Sequence, residues 1–111
     1  MMGSDWVAVA GLADVPKGEI REVLFDGGVI AIAHTESGFF AFDNNCAHMG
    51  VSLAQGALCG DVVICPLHKW SYDLKTAVMT YPQAGRPFSV FPLKIVNDQL
   101  LVRRFPEEVG E

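Results

Sequence analysis

The feature that most restricts this chain is the shortness of its apolar runs and the regularity of the turns between them. "WVAVAG" (6–11) is stopped by the Pro/Gly segment "ADVPKGE" (13–19). "IREVLF" (20–25) is turned by "DGG" into "VIAIAHT" (29–35), and "ESG" turns that into "FFAFD" (39–43). Helical periodicity is weak throughout, whereas strand-length runs bounded by Gly, Pro, Asn and Asp are the pattern of an all-β chain. Residues 20 to 42 therefore read as a three-stranded meander. Towards the other end, "FSVFPLKIV" (88–96) and "LLVRRF" (100–105) flank "NDQ", which reads as a hairpin turn. The tail "PEEVGE" is expected to fray.

The middle differs. Residues 43 to 80 hold two of the three His and all three Cys, with short apolar stretches such as "DVVIC" and "WSYDL". They read as two hairpins with long tips inserted into a β scaffold. Repeats, low-complexity segments and domain-separating linkers are absent from the sequence. The expectation is one domain over 1–111, a small antiparallel β-sandwich or barrel with a loop-rich functional end at about 43–80.

Composition supports that reading and removes others. With 111 residues, half of them hydrophobic, a small core is within reach without covalent staples. A charged fraction of 19% argues against disorder. The net charge of −5, from 8 basic and 13 acidic side chains, argues against a nucleic-acid binder, which wants a basic face. Neither a charged, apolar leader nor a run of membrane-span length is visible, so the expectation is a soluble, cytoplasmic protein. Three Cys cannot form a pure disulfide framework, and in a reducing compartment thiols bind metal, do chemistry or sit buried.

The chemistry is concentrated in two pairs. Cys46-x-His48 is followed, sixteen residues later, by Cys65-x-x-His68. Each pair falls on a loop between strands, and "GDVVIC" supplies a strand that runs the second loop back beside the first. Two metal readings fit four such ligands. A structural zinc accepts two thiolates and two imidazoles in a tetrahedron, although Cys-x-His is tight for a zinc ligand pair. A [2Fe–2S] cluster accepts two Cys on one iron and two His on the other, each loop giving one ligand to each iron. A lone Cys is usually a small hydrophobe and a lone His rarely a ligand, but four in this order and spacing reverse that default. Cys59, in "ALCGD", has no His at ligand spacing and reads as a packed or turn thiol. His34, ending "VIAIAHT", reads as a solvent-facing or capping residue. Neither belongs to the candidate site.

These residues resemble the Rieske [2Fe–2S] motif pair, and their surroundings do too. "NNCAHMGVSL" and "GDVVICPLHKWSYDL" look like the two cluster-binding loops in full. With "DVPKGE", "FFAFDNNC" and "FPLKIVNDQLLV", the chain is similar to the small Rieske ferredoxins of bacterial aromatic-ring dioxygenase systems. The resemblance implies one [2Fe–2S] cluster per chain, held by Cys46, His48, Cys65 and His68. It implies a monomeric one-electron shuttle between a flavin-dependent reductase and a terminal aromatic-ring dioxygenase. Docking would be transient and at the cluster tip, with Met49, Leu67 and Lys69 around the exposed His. A Rieske oxygenase would need a second, mononuclear iron held by two His and a carboxylate, and only His34 is left over, so the chain is expected to carry electrons rather than catalyse. Two alternatives stay open: the Rieske-like small subunit of an assimilatory NAD(P)H nitrite reductase, and a structural zinc module.

The resemblance also speaks to potential. High-potential Rieske proteins carry an extra Cys in each loop, joined as a disulfide, and the matching positions here are Val51 and Leu67. Their Ser hydroxyl near a bridging sulfide is matched by Trp70, while Tyr72 matches a second hydrogen-bonding position. That implies about −150 to −50 mV, towards the bottom of the Rieske range of about −150 to +300 mV. Backbone N–H groups around Met49 to Val51 and Leu67 to Lys69 are expected to point at sulfur. Pro66 is expected to stiffen the second loop, and "TYPQAGRP" reads equally as a third loop over the cluster or as an ordinary connection. Two positions depart from the resemblance: Lys69 stands where Gly is frequent, and Thr76-Ala77 where Thr-Gly is.

Overall fold

The computed structural model describes residues 6–46, 51–67 and 69–104. Eleven strands run through them: β1 (Val7–Gly11), β2 (Ile20–Phe25), β3 (Gly28–Thr35), β4 (Gly38–Asp43), β5 (Ala57–Cys59), β6 (Val62–Ile64), β7 (Ser71–Asp73), β8 (Val78–Tyr81), β9 (Val90–Phe91), β10 (Leu93–Val96) and β11 (Gln99–Val102). They form three antiparallel sheets, ordered β1-β11-β10, β2-β3-β4-β9 and β5-β6-β7-β8. The two short helical pieces, Leu12–Asp14 and Leu53–Gln55, are single 3-10 turns. No helix among the described residues is long and apolar enough to cross a membrane.

The expected meander is β2-β3-β4, with Ile20 opposite Ala33 and Ile32 opposite Ala41. It is the wall between two cores, which explains why "VIAIA" does not alternate. Successive side chains of a strand point to opposite faces, and a strand buried on both reads as a continuous apolar run. Ala31, Ala33, Phe40, Phe42 and Val90 face one core, together with both site cysteines. Ile30, Ile32, Phe39, Ala41 and Phe91 face the other, together with Leu100 and Val102 of β11. The three-stranded sheet thus closes one side of the wall, and the β5–β8 sheet with its loops closes the other.

Two expectations are refined. The two long-tipped hairpins expected over 43–80 are instead β5–β6 and β7–β8 within 57–81, joined by short turns. Pairing of β6 with β7 makes them one four-stranded sheet, with Cys65 in the β6–β7 link and Cys46 ahead of β5. "FSVFPLKIV" is two strands rather than one. Proline has no N–H to give a ladder, and at Pro92 the chain leaves β4, where Val90 pairs with Phe42, and joins β11, where Leu93 pairs with Val102. Its carbonyl still accepts the Arg103 N–H at 3.2 Å.

Candidate metal centre

The first cysteine loop leaves β4 and the second joins β6 to β7, and the two are closed in the same way. The Cys46 N–H donates to the Val51 carbonyl at 2.9 Å, and the Cys65 N–H donates to the Trp70 carbonyl at 2.7 Å. Each loop is therefore tied by a bond from its cysteine to the residue five positions on, although the His spacing differs between them. A bridge between Asn45 and Ser52 extends the first closure.

The structure brings Cys46 and Cys65 together. Both are buried, and both belong to one apolar cluster with Leu53, Val63, Tyr72, Leu74 and Met79. Burial pushes the Cys65 thiol up from its ordinary value; the Leu67 N–H opposes the rise, and the adjacent Cys46 thiol adds to it. His48 and His68 lie outside the described residues, as does Met49. Cys59 ends β5 in an exposed position, away from this pair. His34 is half-buried: its Nδ1 is 2.8 Å from the Val15 carbonyl and its ring stacks on Phe39 with centroids 3.9 Å apart.

A hydroxyl and a backbone amide each lie within hydrogen-bond reach of one sulfur. The Tyr72 hydroxyl is 3.3 Å from Cys46 Sγ, and the Leu67 N–H points at Cys65 Sγ at 3.5 Å. Leu67 thus behaves as the loop reading expects; Met49 and Gly50 lie outside the described residues. Tyr72 is held by stacking on Phe88, with centroids 4.4 Å apart, and Phe88 leans in turn on Phe42. "TYPQAGRP" folds back on β8 rather than running on: Gly85 N–H donates to Met79 O at 2.8 Å, and Met79 N–H donates to Arg86 O at 2.7 Å.

One supporting group escaped the sequence reading. The Glu22 carboxylate accepts from Ser52 Oγ at 2.7 Å and Asn44 Nδ2 at 3.0 Å, and Asn44 Oδ1 accepts the Ala54 N–H at 3.0 Å. Asn44 is buried, so this network pins both ends of the first loop to β2. No local pattern marked it, since β2 carries one charge on each face, Arg21 and Glu22.

Two buried thiols, one beside a hydroxyl that can donate to its sulfur and one receiving a backbone N–H, fit a group that takes thiolate ligands. A cation there would replace the thiol protons, whereas an isolated pair of thiolates would be costly to bury. The comparisons agree. The Rieske [2Fe-2S] domain family matches residues 5–106. The biphenyl dioxygenase ferredoxin subunit of Pseudomonas sp. strain KKS102 is 36% identical over 80% of this chain and 83% of its own. The ferredoxin component of the naphthalene 1,2-dioxygenase/salicylate 5-hydroxylase systems of a Ralstonia species is 29% identical over 92% of this chain and 98% of its own. The fold is shared with a chain from the complex of reduced oxygenase and oxidized ferredoxin in carbazole 1,9a-dioxygenase. It has a TM-score of 0.82 and 26% identity, covering 96% of this chain and 100% of that one. With its loops, its buried thiol pair and a family match that spans nearly its whole length, the chain belongs to the Rieske [2Fe–2S] domain family, whose cofactor is a [2Fe–2S] cluster.

Proposed function

We propose that this protein is a one-electron carrier whose [2Fe–2S] cluster is held by Cys46 and His48 from the first loop and by Cys65 and His68 from the second. The observation that carries the reading is the buried Cys46–Cys65 pair with a hydrogen-bonding group at each sulfur. The cluster supplies the capacity to accept and return one electron. The chain supplies the rest. Tyr72 and the Leu67 amide place positive hydrogen-bond ends at the thiolates, and Leu53, Val63, Leu74 and Met79 keep water from them.

The shuttle runs between a flavin-dependent reductase and a terminal aromatic-ring oxygenase, in the cytoplasm and as a monomer. Relatives that are ferredoxin components of aromatic dioxygenase systems support the oxygenase partner over a nitrite reductase subunit. No residue of the proposed site is left to bind a substrate, so turnover belongs to the partner.

The test is an optical and EPR spectrum of the purified protein, followed by a redox titration. A red-brown protein with a rhombic signal on reduction and a midpoint of about −150 to −50 mV is expected. Cys46→Ser, His48→Ala, Cys65→Ser and His68→Ala each abolish that signal, and Cys59→Ser leaves it intact. A colourless, zinc-loaded protein, or a midpoint above about +150 mV, would overturn the reading. Co-purification with a large sirohaem protein would reassign the partner.

A further inference from the structure

Lys69 stands between the second loop and β7 with φ of +61°, in the left-handed region that glycine enters freely and a side chain with a Cβ enters at a cost. Its backbone is held there. The Cys65–Trp70 bond spans it, and Ser71 Oγ donates to its carbonyl at 3.0 Å. Its side chain is exposed, and none of the ion pairs among the described residues engages it. The fold therefore tolerates an unfavourable backbone conformation and gains no internal contact from the charge. An observed outlier of this kind argues for an external role.

The surroundings say what kind of role. The described residues of the two cysteine loops, 44–46, 51–56, 65–67 and 69–70, contain one charged side chain, Lys69, in a chain of net charge −5. It is cationic. Leu67, at 36% exposure, and Tyr81, at 56%, flank the position; Tyr81 pairs with Ser71, whose hydroxyl holds Lys69. An apolar pair around a cation, with no acid in these segments, matches the anatomy of a small docking patch.

We infer that Lys69 is a docking charge, which presents the cysteine-loop end of this otherwise acidic protein to a carboxylate-bearing surface of its electron-transfer partner. The inference rests on the reading that electrons leave through this end. Lys69 steers the encounter, and Leu67 and Tyr81 supply the apolar contact once it forms.

The test uses the holoprotein, reduced with dithionite and freed of excess reductant. Its oxidation is followed by stopped flow with ferricyanide, an anion standing in for the carboxylate face, and with hexaammineruthenium(III), a cation. In each case one electron passes from the reduced protein to the metal complex, taking ferricyanide to ferrocyanide and ruthenium(III) to ruthenium(II). At about 10 mM ionic strength, Lys69→Gly should slow the ferricyanide reaction about threefold and Lys69→Glu about tenfold. Lys69→Glu should speed the ruthenium reaction, Lys69→Arg should behave as wild type, and the differences should fade in about 1 M salt. Because Lys69→Gly relaxes the backbone, a slower rate there cannot come from damaged folding. An unchanged ratio of the two rates in Lys69→Glu, with a normal Rieske spectrum, overturns the docking charge alone. Absence of that spectrum in the wild type overturns the parent reading and this one with it.

Discussion

The Tyr72 hydroxyl sits 3.3 Å from the Cys46 sulfur, inside a core where Tyr72 is 1% exposed. With Cys46 as the proposed cluster ligand, a Tyr72 hydroxyl donating to its sulfur favours the reduced state, because the added electron increases the charge that the hydrogen bond stabilises. Tyr72→Phe keeps the stack on Phe88 and removes only the hydroxyl. The midpoint potential should fall by about 40 mV, the equivalent of about 1 kcal/mol for one electron. Redox titration of the variant checks this. An unchanged midpoint would separate Cys46 from the redox centre.

Gly56 enters β5 where the backbones nearly touch. A Cβ there would overlap the Ile64 carbonyl oxygen and lie 3.2 Å from that of Leu53. Both neighbours are main chain, and Ile64 is fixed opposite Ala57 in the ladder that leads into Cys65. Gly56→Ala should therefore lower stability by about 3 kcal/mol, measured by denaturant unfolding of the holoprotein. A loss under about 0.5 kcal/mol would mean that the β5–β6 pair opens without penalty.

Ala77 occupies the left-handed region at φ of +61°, held by its N–H to the Asp73 carbonyl at 2.9 Å and by its carbonyl to the Phe88 N–H at 2.9 Å. Glycine removes the Cβ penalty of about 1–2 kcal/mol and returns part of it as unfolded-chain entropy. Ala77→Gly should raise stability by about 0.5–1 kcal/mol, read from the denaturation midpoint. The same reasoning makes Lys69→Gly stabilising while it slows reaction with an anionic acceptor.

The two non-glycine residues just named show where sequence reasoning reached and where it stopped. Lys69 and Ala77 stood out as departures from a resemblance, but a residue's φ is set by the closure around it, which is a tertiary fact. The strands were readable because alternation and turn chemistry are local: β2, β3 and β4 fall where "IREVLF", "VIAIAHT" and "FFAFD" lie. The division at Pro92 was present as a letter, yet which strand each half joins depends on non-local pairing. Cys46 and Cys65 were paired by spacing and do share one core. Glu22 was missed because its partners, Asn44 and Ser52, are 22 and 30 residues away.

Glu22 supplies the pH dependence of the first loop. Its carboxyl is held below the usual carboxylate range, first by the Ser52 hydroxyl and then by the Asn44 amide, with burial opposing weakly. A group whose folded pKa is depressed contributes stability above its unfolded value and loses it as pH falls through the folded one. Wild-type stability from this network is therefore complete at neutral pH and declines only below the ordinary carboxylate range. Glu22→Gln keeps the shape of the side chain but removes the charge, so its thermal midpoint should lie below wild type at about pH 7. That gap should narrow as both are acidified from neutral pH through and below the ordinary carboxylate range, because Glu22 loses the same interaction as pH falls through its depressed folded value. Thermal midpoints of the two proteins across that range decide the matter. Parallel curves would mean that Ser52 and Asn44 hold the loop without the carboxylate, and a widening gap would reverse the sign argued here.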